Sequence, residues 1–173
     1  MTYKPITILN VLAGISIALS LVMLYDTLSG PDTMEGREAL SFPVSSLDLT
    51  ERKTFRPLAH STITLFVFKV GCLYCEESVP LWNTLVADEN HIRYGEVMGV
   101  SISSQTATLN FIIKNKVKFP VMLVGFEFME AYRVGGTPTT ITIHNGIIKR
   151  MVSGKPDTSD MSYLINTHIR SQI

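Results

Sequence analysis

The chain begins with an apolar stretch that no charged side chain interrupts. Between Lys4 and Asp26 lie 21 uncharged residues. A helix of that length, at 1.5 Å per residue, reaches about 30 Å, the thickness of the hydrocarbon core of a bilayer. The stretch is longer than the apolar core of a cleaved signal peptide, and no clean small-x-small cleavage site follows it. The pattern predicts a transmembrane anchor over residues 1–30, and a cleaved signal peptide is the alternative.

The next segment, residues 31–58, changes to short alternations and turn residues. Gly30-Pro31 ends the predicted helix. From there to about Ser41 the residues are acidic and turn-rich, which is typical of a tether. Residues 42–58 predict an edge strand and a loop. We therefore expect three parts: an anchor (1–30), a tether with an edge strand and loop (31–58) and a folded domain (59–173).

Strands alternate with helices through the folded domain. The β-rich apolar run from Ile63 to Phe68 predicts a central strand buried on both faces. Helical spacing follows over residues 76–87, where Pro80 is expected to kink the helix. Further on, the pattern predicts a strand at 96–102, a helix at 106–115, a strand at 120–124, a helical turn at 126–132, a hairpin of 139–144 and 147–152 around Asn145-Gly146, and a helix at 158–170. This order of elements predicts an α/β fold.

Composition and charge narrow the possible partners. The 173 residues are 46% apolar, and 15 Lys and Arg balance 15 Asp and Glu. That length suits one compact domain with an appendage. A polyanion binder usually carries a basic excess, so we expect no nucleic acid partner. The sequence has two cysteines, Cys72 and Cys75, too few for a fold held together by disulfides.

The two cysteines stand three positions apart at the predicted start of a helix. The unpaired N–H groups and partial positive charge of a helix N-terminus stabilise a thiolate, the species that attacks disulfides. A second cysteine one turn later is placed to attack the resulting mixed disulfide. We therefore expect Cys72 to be the nucleophile and Cys75 the resolving thiol of a redox pair.

Metal and haem chemistry fit this pair poorly. A structural zinc site needs about four ligands, and the four histidines show no paired spacing: His60, His91, His144 and His168. Haem attachment needs a histidine directly after the second cysteine, where Glu76 stands. We expect no metal and no cofactor beyond the redox disulfide. Two inert buried cysteines and a thiol peroxidase remain open alternatives.

A second motif lies downstream of the cysteines, and together the two motifs resemble a known family. The run from Ala131 to Thr140 contains Gly136-Thr137-Pro138-Thr139. With the cysteine pair after a strand, Pro80, Phe119-Pro120-Val121 and the Asn145-Gly146 hairpin, it resembles the thioredoxin superfamily. Within that superfamily the chain is most similar to the membrane-anchored TlpA/ResA-like thiol-disulfide oxidoreductases. The resemblance covers roughly residues 60–170.

The resemblance implies a fold, a site and a location. The fold would be thioredoxin-like, a central mixed sheet flanked by helices, preceded by the transmembrane helix. The Thr137–Pro138 bond would be cis and face Cys72 and Cys75, with the Thr137 backbone binding an extended substrate segment. The partners would be protein thiols or disulfides and a membrane or periplasmic thiol electron donor. The protein would be a single-pass protein of the bacterial inner (cytoplasmic) membrane with its domain in the periplasm.

Three departures from the family pattern bear on the direction of exchange. Gly71 replaces the aromatic residue that usually precedes the first cysteine. Phe66 and Ser78 stand where many relatives bury an acidic residue. The negative charges of Glu76 and Glu77 would disfavour a thiolate on Cys72, and the positive charge of Lys69 would partly offset them.

Two functions follow as expectations from these observations. The first is a membrane-tethered oxidoreductase that reduces disulfides. A strong oxidant has a stabilised thiolate. Here no histidine stands between the cysteines and two carboxylates lie nearby, and both features disfavour such a thiolate. The second is a thioredoxin-like binding or scaffold module of a membrane complex, with little redox turnover.

Overall fold

A computed structural model describes residues 5–28, 34–48, 50, 52–57, 61–87, 96–157, 159 and 160. The chain divides into two compact units, Met1–Thr33 and Met34–Ile173. The elements are α1 (Pro5–Leu28), β1 (Phe42–Ser45), β2 (Arg52–Phe55), β3 (Thr62–Phe68), α2 (Leu73–Ala87), β4 (Glu96–Ser101), α3 (Gln105–Asn115), β5 (Val121–Leu123), α4 (Glu127–Ala131), β6 (Thr139–His144) and β7 (Ile147–Ser153). Apart from Ser159 and Asp160, the helix predicted at 158–170 lies outside the described residues.

The first unit contains helix α1. Its side chains are described from residue 11 to residue 24, and all of them are exposed, although most are apolar. Within the described residues, no helix is both long enough and apolar enough to span a membrane.

The second unit is built on a mixed sheet of seven strands in the order β2-β1-β5-β4-β3-β6-β7. Strands β3, β4 and β5 run parallel to one another, whereas β6 is antiparallel to β3 and β7 is antiparallel to β6. At the other edge, β1 pairs antiparallel with both β2 and β5. The predicted mixed sheet with flanking helices is therefore present.

Strand β3 is central because its side chains are apolar on both faces. Leu65 and Val67 face one core cluster, which also contains Ile141 of β6. Phe66 and Phe68 face the other cluster, which covers the sheet with α2 and α3. Since successive residues of a strand point to opposite faces, a strand buried on both sides is apolar along most of its length.

Helix α2 packs on the sheet through residues spaced one turn apart. Cys75, Val79 and Trp82 are all buried on its inner side. The Trp82 ring stacks on Phe66, with a distance of 4.7 Å between the ring centroids. This contact packs α2 on β3 in the core cluster that also contains Cys75.

The segment from Met34 to Ala39 lies along strand β7, in the region for which the sequence predicts a tether. The N–H of Gly36 donates to Ile148 O at 2.8 Å, the N–H of Ile148 donates to Arg37 O at 2.9 Å, and the N–H of Ala39 donates to Gly146 O at 2.8 Å. Met34 is buried in the core cluster of Leu65. An edge strand has unpaired N–H and C=O groups, and this segment satisfies them on β7.

Candidate active site

The candidate site lies where the carboxyl ends of β3 and β4 meet the first residue of β6. The loop after β3 is held to the loop after β4, because the N–H of Val70 donates to Ser103 Oγ at 2.9 Å. Gly71 has a φ of +82°, a left-handed conformation that other residues rarely adopt. Glycine at position 71 therefore permits the backbone turn directly before Cys72.

Cys72 stands at the N-terminal end of α2. Its carbonyl oxygen accepts hydrogen bonds from the N–H groups of Cys75 at 3.1 Å and Glu76 at 3.2 Å. Its sulfur accepts a hydrogen bond from the N–H of Cys75 at 3.2 Å. An N–H group directed at the sulfur stabilises negative charge on it, as does the partial positive charge of the helix N-terminus.

Cys72 and Cys75 form a disulfide, with their Cα atoms 5.2 Å apart. Cys72 is half-buried, whereas Cys75 is 0% exposed. An external sulfur therefore has access to Cys72 and not to Cys75. The roles of nucleophile for Cys72 and resolving thiol for Cys75 stay a prediction, which this difference in exposure makes testable.

The loop before β6 brings Thr137 and Pro138 to the cysteines. The Thr137–Pro138 peptide bond is cis, and Thr137 O lies 3.3 Å from Cys72 Sγ. Pro138 is buried and Thr137 is half-buried. The loop is fixed on both sides, because Pro138 O accepts a hydrogen bond from the N–H of Gly154 at 2.8 Å and the Thr139 hydroxyl donates to Gly136 O at 2.7 Å. All four residues singled out in the sequence thus lie together.

Aromatic rings, and no carboxylate, lie beneath the cysteines. Phe66 and Trp82 are both 0% exposed and share the core cluster of Cys75. The Ser78 hydroxyl donates to Tyr74 O at 2.6 Å. Among the described residues, no aspartate or glutamate is buried. Within the described residues, no buried carboxylate is therefore available as a base for the proton of Cys75 during exchange.

Both glutamates of the first turns of α2 are ion-paired. Glu76 binds Lys114 at 2.9 Å and Glu77 binds Lys155 at 2.8 Å. Along the sequence, Lys69 is the cation expected to offset these charges, because the lysines that bind the glutamates lie 38 and 78 positions away from them. The two carboxylates therefore destabilise a Cys72 thiolate less than the sequence alone suggests, because each is paired with a lysine.

Two further properties describe the surroundings of the pair. Leu73 and Tyr74, between the cysteines, are exposed by 65% and 60%, so apolar surface lies beside Cys72. In the described part of the chain, no group of three or more His, Cys, Asp or Glu side chains could hold a metal ion.

Comparison with known proteins identifies the fold. No protein-family model and no curated protein matches the sequence. The thioredoxin domain of a thiol-disulfide oxidoreductase from Bacteroides vulgatus superposes with a TM-score of 0.63 at 18% identity, covering 79% of this chain and 96% of that one. StoA from Bacillus subtilis gives 0.58 at 19% identity, covering 72% and 96%. A peroxiredoxin-like protein from Aquifex aeolicus gives 0.64 at 17% identity, covering 80% and 90%.

These structures confirm the predicted thioredoxin-like fold. Their names describe different redox activities on one architecture, so the activity of this chain has to be argued from its own site.

Proposed function

We propose that this chain is a thiol-disulfide oxidoreductase that exchanges the Cys72–Cys75 disulfide with protein thiols outside the cytoplasm. The observation that carries the proposal is the asymmetry of the pair. The accessible sulfur of Cys72 accepts the N–H of Cys75 at a helix N-terminus, while Cys75 itself is fully buried. Two inert structural cysteines would need neither an accessible sulfur nor an N–H directed at it. The fold neighbour from Bacteroides vulgatus is named a thiol-disulfide oxidoreductase, which supports this assignment.

The reaction begins with the reduced pair. The Cys72 thiolate attacks one sulfur of a substrate disulfide, which forms a mixed disulfide and releases the other substrate sulfur as a thiolate. Cys75 then loses its proton and attacks Cys72 Sγ. This step closes the Cys72–Cys75 disulfide and releases the second substrate sulfur. Two electrons and two protons pass to the substrate, and a thiol electron donor must reduce the pair again.

Substrate docking involves the loop before β6. The Thr137 backbone precedes the first paired residue of β6 and lies beside Cys72 Sγ. An extended substrate segment can pair with this backbone as an added strand does. The exposed side chains of Leu73 and Tyr74 offer apolar contact on the other side of Cys72.

The proposed direction is reduction of the substrate. No histidine stands between the cysteines to stabilise a Cys72 thiolate. The Thr137 carbonyl oxygen, 3.3 Å from Cys72 Sγ, also opposes negative charge on that sulfur. A strong oxidant has a strongly stabilised reduced form, and these two features work against such stabilisation.

The proposed location is the bacterial inner membrane, with residues 1–30 as a single-pass anchor and the domain in the periplasm. The support is the uncharged run of 21 residues between Lys4 and Asp26. Exposed apolar side chains such as those of Val11, Ile15 and Leu19 are costly in water and favourable in lipid. If the proposal is right, the full chain stays in the membrane fraction after a carbonate wash; recovery of a soluble mature chain lacking residues 1–28 would contradict it.

Turnover of insulin disulfides tests the activity. The detergent-solubilised full chain, with dithiothreitol as electron donor, should reduce insulin faster than dithiothreitol alone. Cys72→Ser should abolish the acceleration, because it removes the attacking sulfur. Cys75→Ser should instead accumulate a mixed disulfide between Cys72 and insulin. If the unsubstituted chain does not accelerate insulin reduction, the scaffold function is favoured. If it does not reduce insulin but consumes hydrogen peroxide rapidly, a thiol peroxidase is favoured.

A further inference from the structure

We propose that Lys114 and Lys155 are positioning residues for the cysteine pair. By binding Glu76 and Glu77, they hold the carboxylates in place and offset their charge, and they thereby set how readily Cys72 becomes a thiolate. This inference rests on the proposed redox function of the pair, which it deepens by assigning control of the site to two lysines from other parts of the fold.

The ion pairs join the start of α2 to two different elements. Lys114 lies in the last turn of α3 and binds Glu76, whose own N–H donates to the Cys72 carbonyl oxygen. Lys155 follows β7 and binds Glu77. Lys155 is also the neighbour of Gly154, whose N–H holds the carbonyl oxygen of Pro138. The two pairs therefore connect the cysteine helix with α3 on one side and with the segment that supports the Pro138 loop on the other.

The charges around Cys72 explain why the pairs matter. Glu76 follows Cys72 by one helical turn, and its side chain is 28% exposed, so solvent screens its charge only in part. Lys69 lies in the preceding loop, where its carbonyl oxygen accepts the N–H of Cys72 at 3.4 Å, and Glu77 lies on α2. Without a lysine partner, each glutamate would add a net negative charge near the sulfur and disfavour the thiolate.

The same charges affect the redox equilibrium of the pair. In exchange with glutathione, the protein disulfide and two glutathione thiols give the protein dithiol and glutathione disulfide. Stabilising the Cys72 thiolate stabilises the dithiol and makes the pair a stronger oxidant. Removing a lysine should therefore make the pair more reducing, and removing its glutamate should make it more oxidising.

The first measurement is the rate at which iodoacetamide alkylates Cys72 across pH, in the full chain carrying Cys75→Ser. Lys114→Gln should slow alkylation at pH 7 roughly twofold at low salt, Glu76→Gln should accelerate it by a similar factor, and the double variant should return to the starting rate. Lys155→Gln and Glu77→Gln should behave in the same way. Lys114→Arg should keep the original rate, because it keeps the charge.

The matched control is Lys118→Gln, which removes an exposed charge from the segment after α3 without touching Glu76. It should leave the alkylation rate unchanged. With both cysteines present, equilibrium with glutathione buffers should shift toward the disulfide in Lys114→Gln and toward the dithiol in Glu76→Gln. At 1 M salt, where charges are screened beyond about 3 Å, all these differences should shrink.

Equal effects of Lys114→Gln and Lys118→Gln would overturn the proposal, because the effect would then reflect net charge alone. So would a slow rate in the double variant Lys114→Gln/Glu76→Gln, which would show that the lysine acts in some way other than through the glutamate. Neither measurement requires turnover of a protein substrate. A chain that fails to reduce insulin while its alkylation rates follow the expected order would contradict the proposed function and leave this inference standing.

Discussion

The sulfur of Cys72 lies 3.3 Å from the carbonyl oxygen of Thr137, although 65 positions separate the two residues. The contact joins the N-terminus of α2 to the loop before β6. It means that a substrate sulfur approaching Cys72 also meets the backbone at Thr137. The nucleophile and the docking backbone of the proposed reaction therefore belong to one surface.

The two cysteines should differ in their accessibility to alkylating reagents. In the reduced full chain, a limiting amount of iodoacetamide should modify Cys72 at least about tenfold faster than Cys75, because Cys72 is half-buried and Cys75 is fully buried. Peptide mapping by mass spectrometry measures the ratio. In denaturant the two rates should converge. Faster labelling of Cys75 in the folded chain would reverse the assigned roles.

The segment along β7 should contribute to stability through Met34. Met34→Ala should lower the free energy of unfolding by about 2 kcal/mol, because the side chain is 5% exposed and packs in the main core cluster. Leu40→Ala is the matched control, since Leu40 is 43% exposed and should cost far less. Urea denaturation followed by tryptophan fluorescence measures both. Equal losses would mean that burial of Met34 adds no stability.

Two buried hydroxyls on β6 should be replaceable without loss. Thr140 and Thr142 are buried, and neither Oγ1 atom has a hydrogen-bond partner among the described residues. Thr142→Val should leave stability unchanged or raise it by up to about 1 kcal/mol, because it removes an unsatisfied polar group. Thr108→Val should instead lower stability by about 1 kcal/mol, since the Thr108 hydroxyl lies 2.8 Å from Ser101 Oγ.

The same urea measurements decide between these outcomes. A loss of stability in Thr142→Val as large as that in Thr108→Val would mean that the Thr142 hydroxyl is satisfied in solution.

Tyr132 should make the domain less stable at alkaline pH. Burial raises the pKa of Tyr132 well above its usual value, and the neutral hydroxyl donates a hydrogen bond to Leu40 O. Below about pH 10, tyrosine is neutral in both the folded and the unfolded chain, so its contribution to stability is fully present. Above that pH the unfolded chain loses the proton and the folded chain keeps it, so the free energy of unfolding falls.

Urea denaturation between pH 8 and pH 11 tests this pH dependence. Tyr132→Phe should flatten the decline above about pH 10, whereas Tyr74→Phe, at an exposed position, should not. An unchanged decline in Tyr132→Phe would assign the alkaline instability to other groups.

Much of the fold could be predicted because its signals are local. The mostly apolar, β-rich run from Ile63 to Phe68 predicted the central strand, and the structure places β3 there with neighbours on both sides. Asn145-Gly146 predicted the turn between β6 and β7. The cysteine spacing and the Gly-Thr-Pro-Thr run predicted which residues form the site. Each of these signals depends on backbone conformation or side-chain periodicity within a few residues.

Only the tertiary structure decided which residues far apart in the chain contact each other. The sequence by itself determined the elements, the thioredoxin-like order in which they follow one another and the identity of the cysteine pair. It could not place residues 34–39 along β7, or assign Lys114 and Lys155 to the glutamates of α2. Those contacts depend on which strand ends and helix ends meet when the sheet assembles. No periodicity along the chain encodes that lateral order, because hydrogen bonding between strands and ion pairing between exposed side chains are open to many partners until packing brings particular ones together.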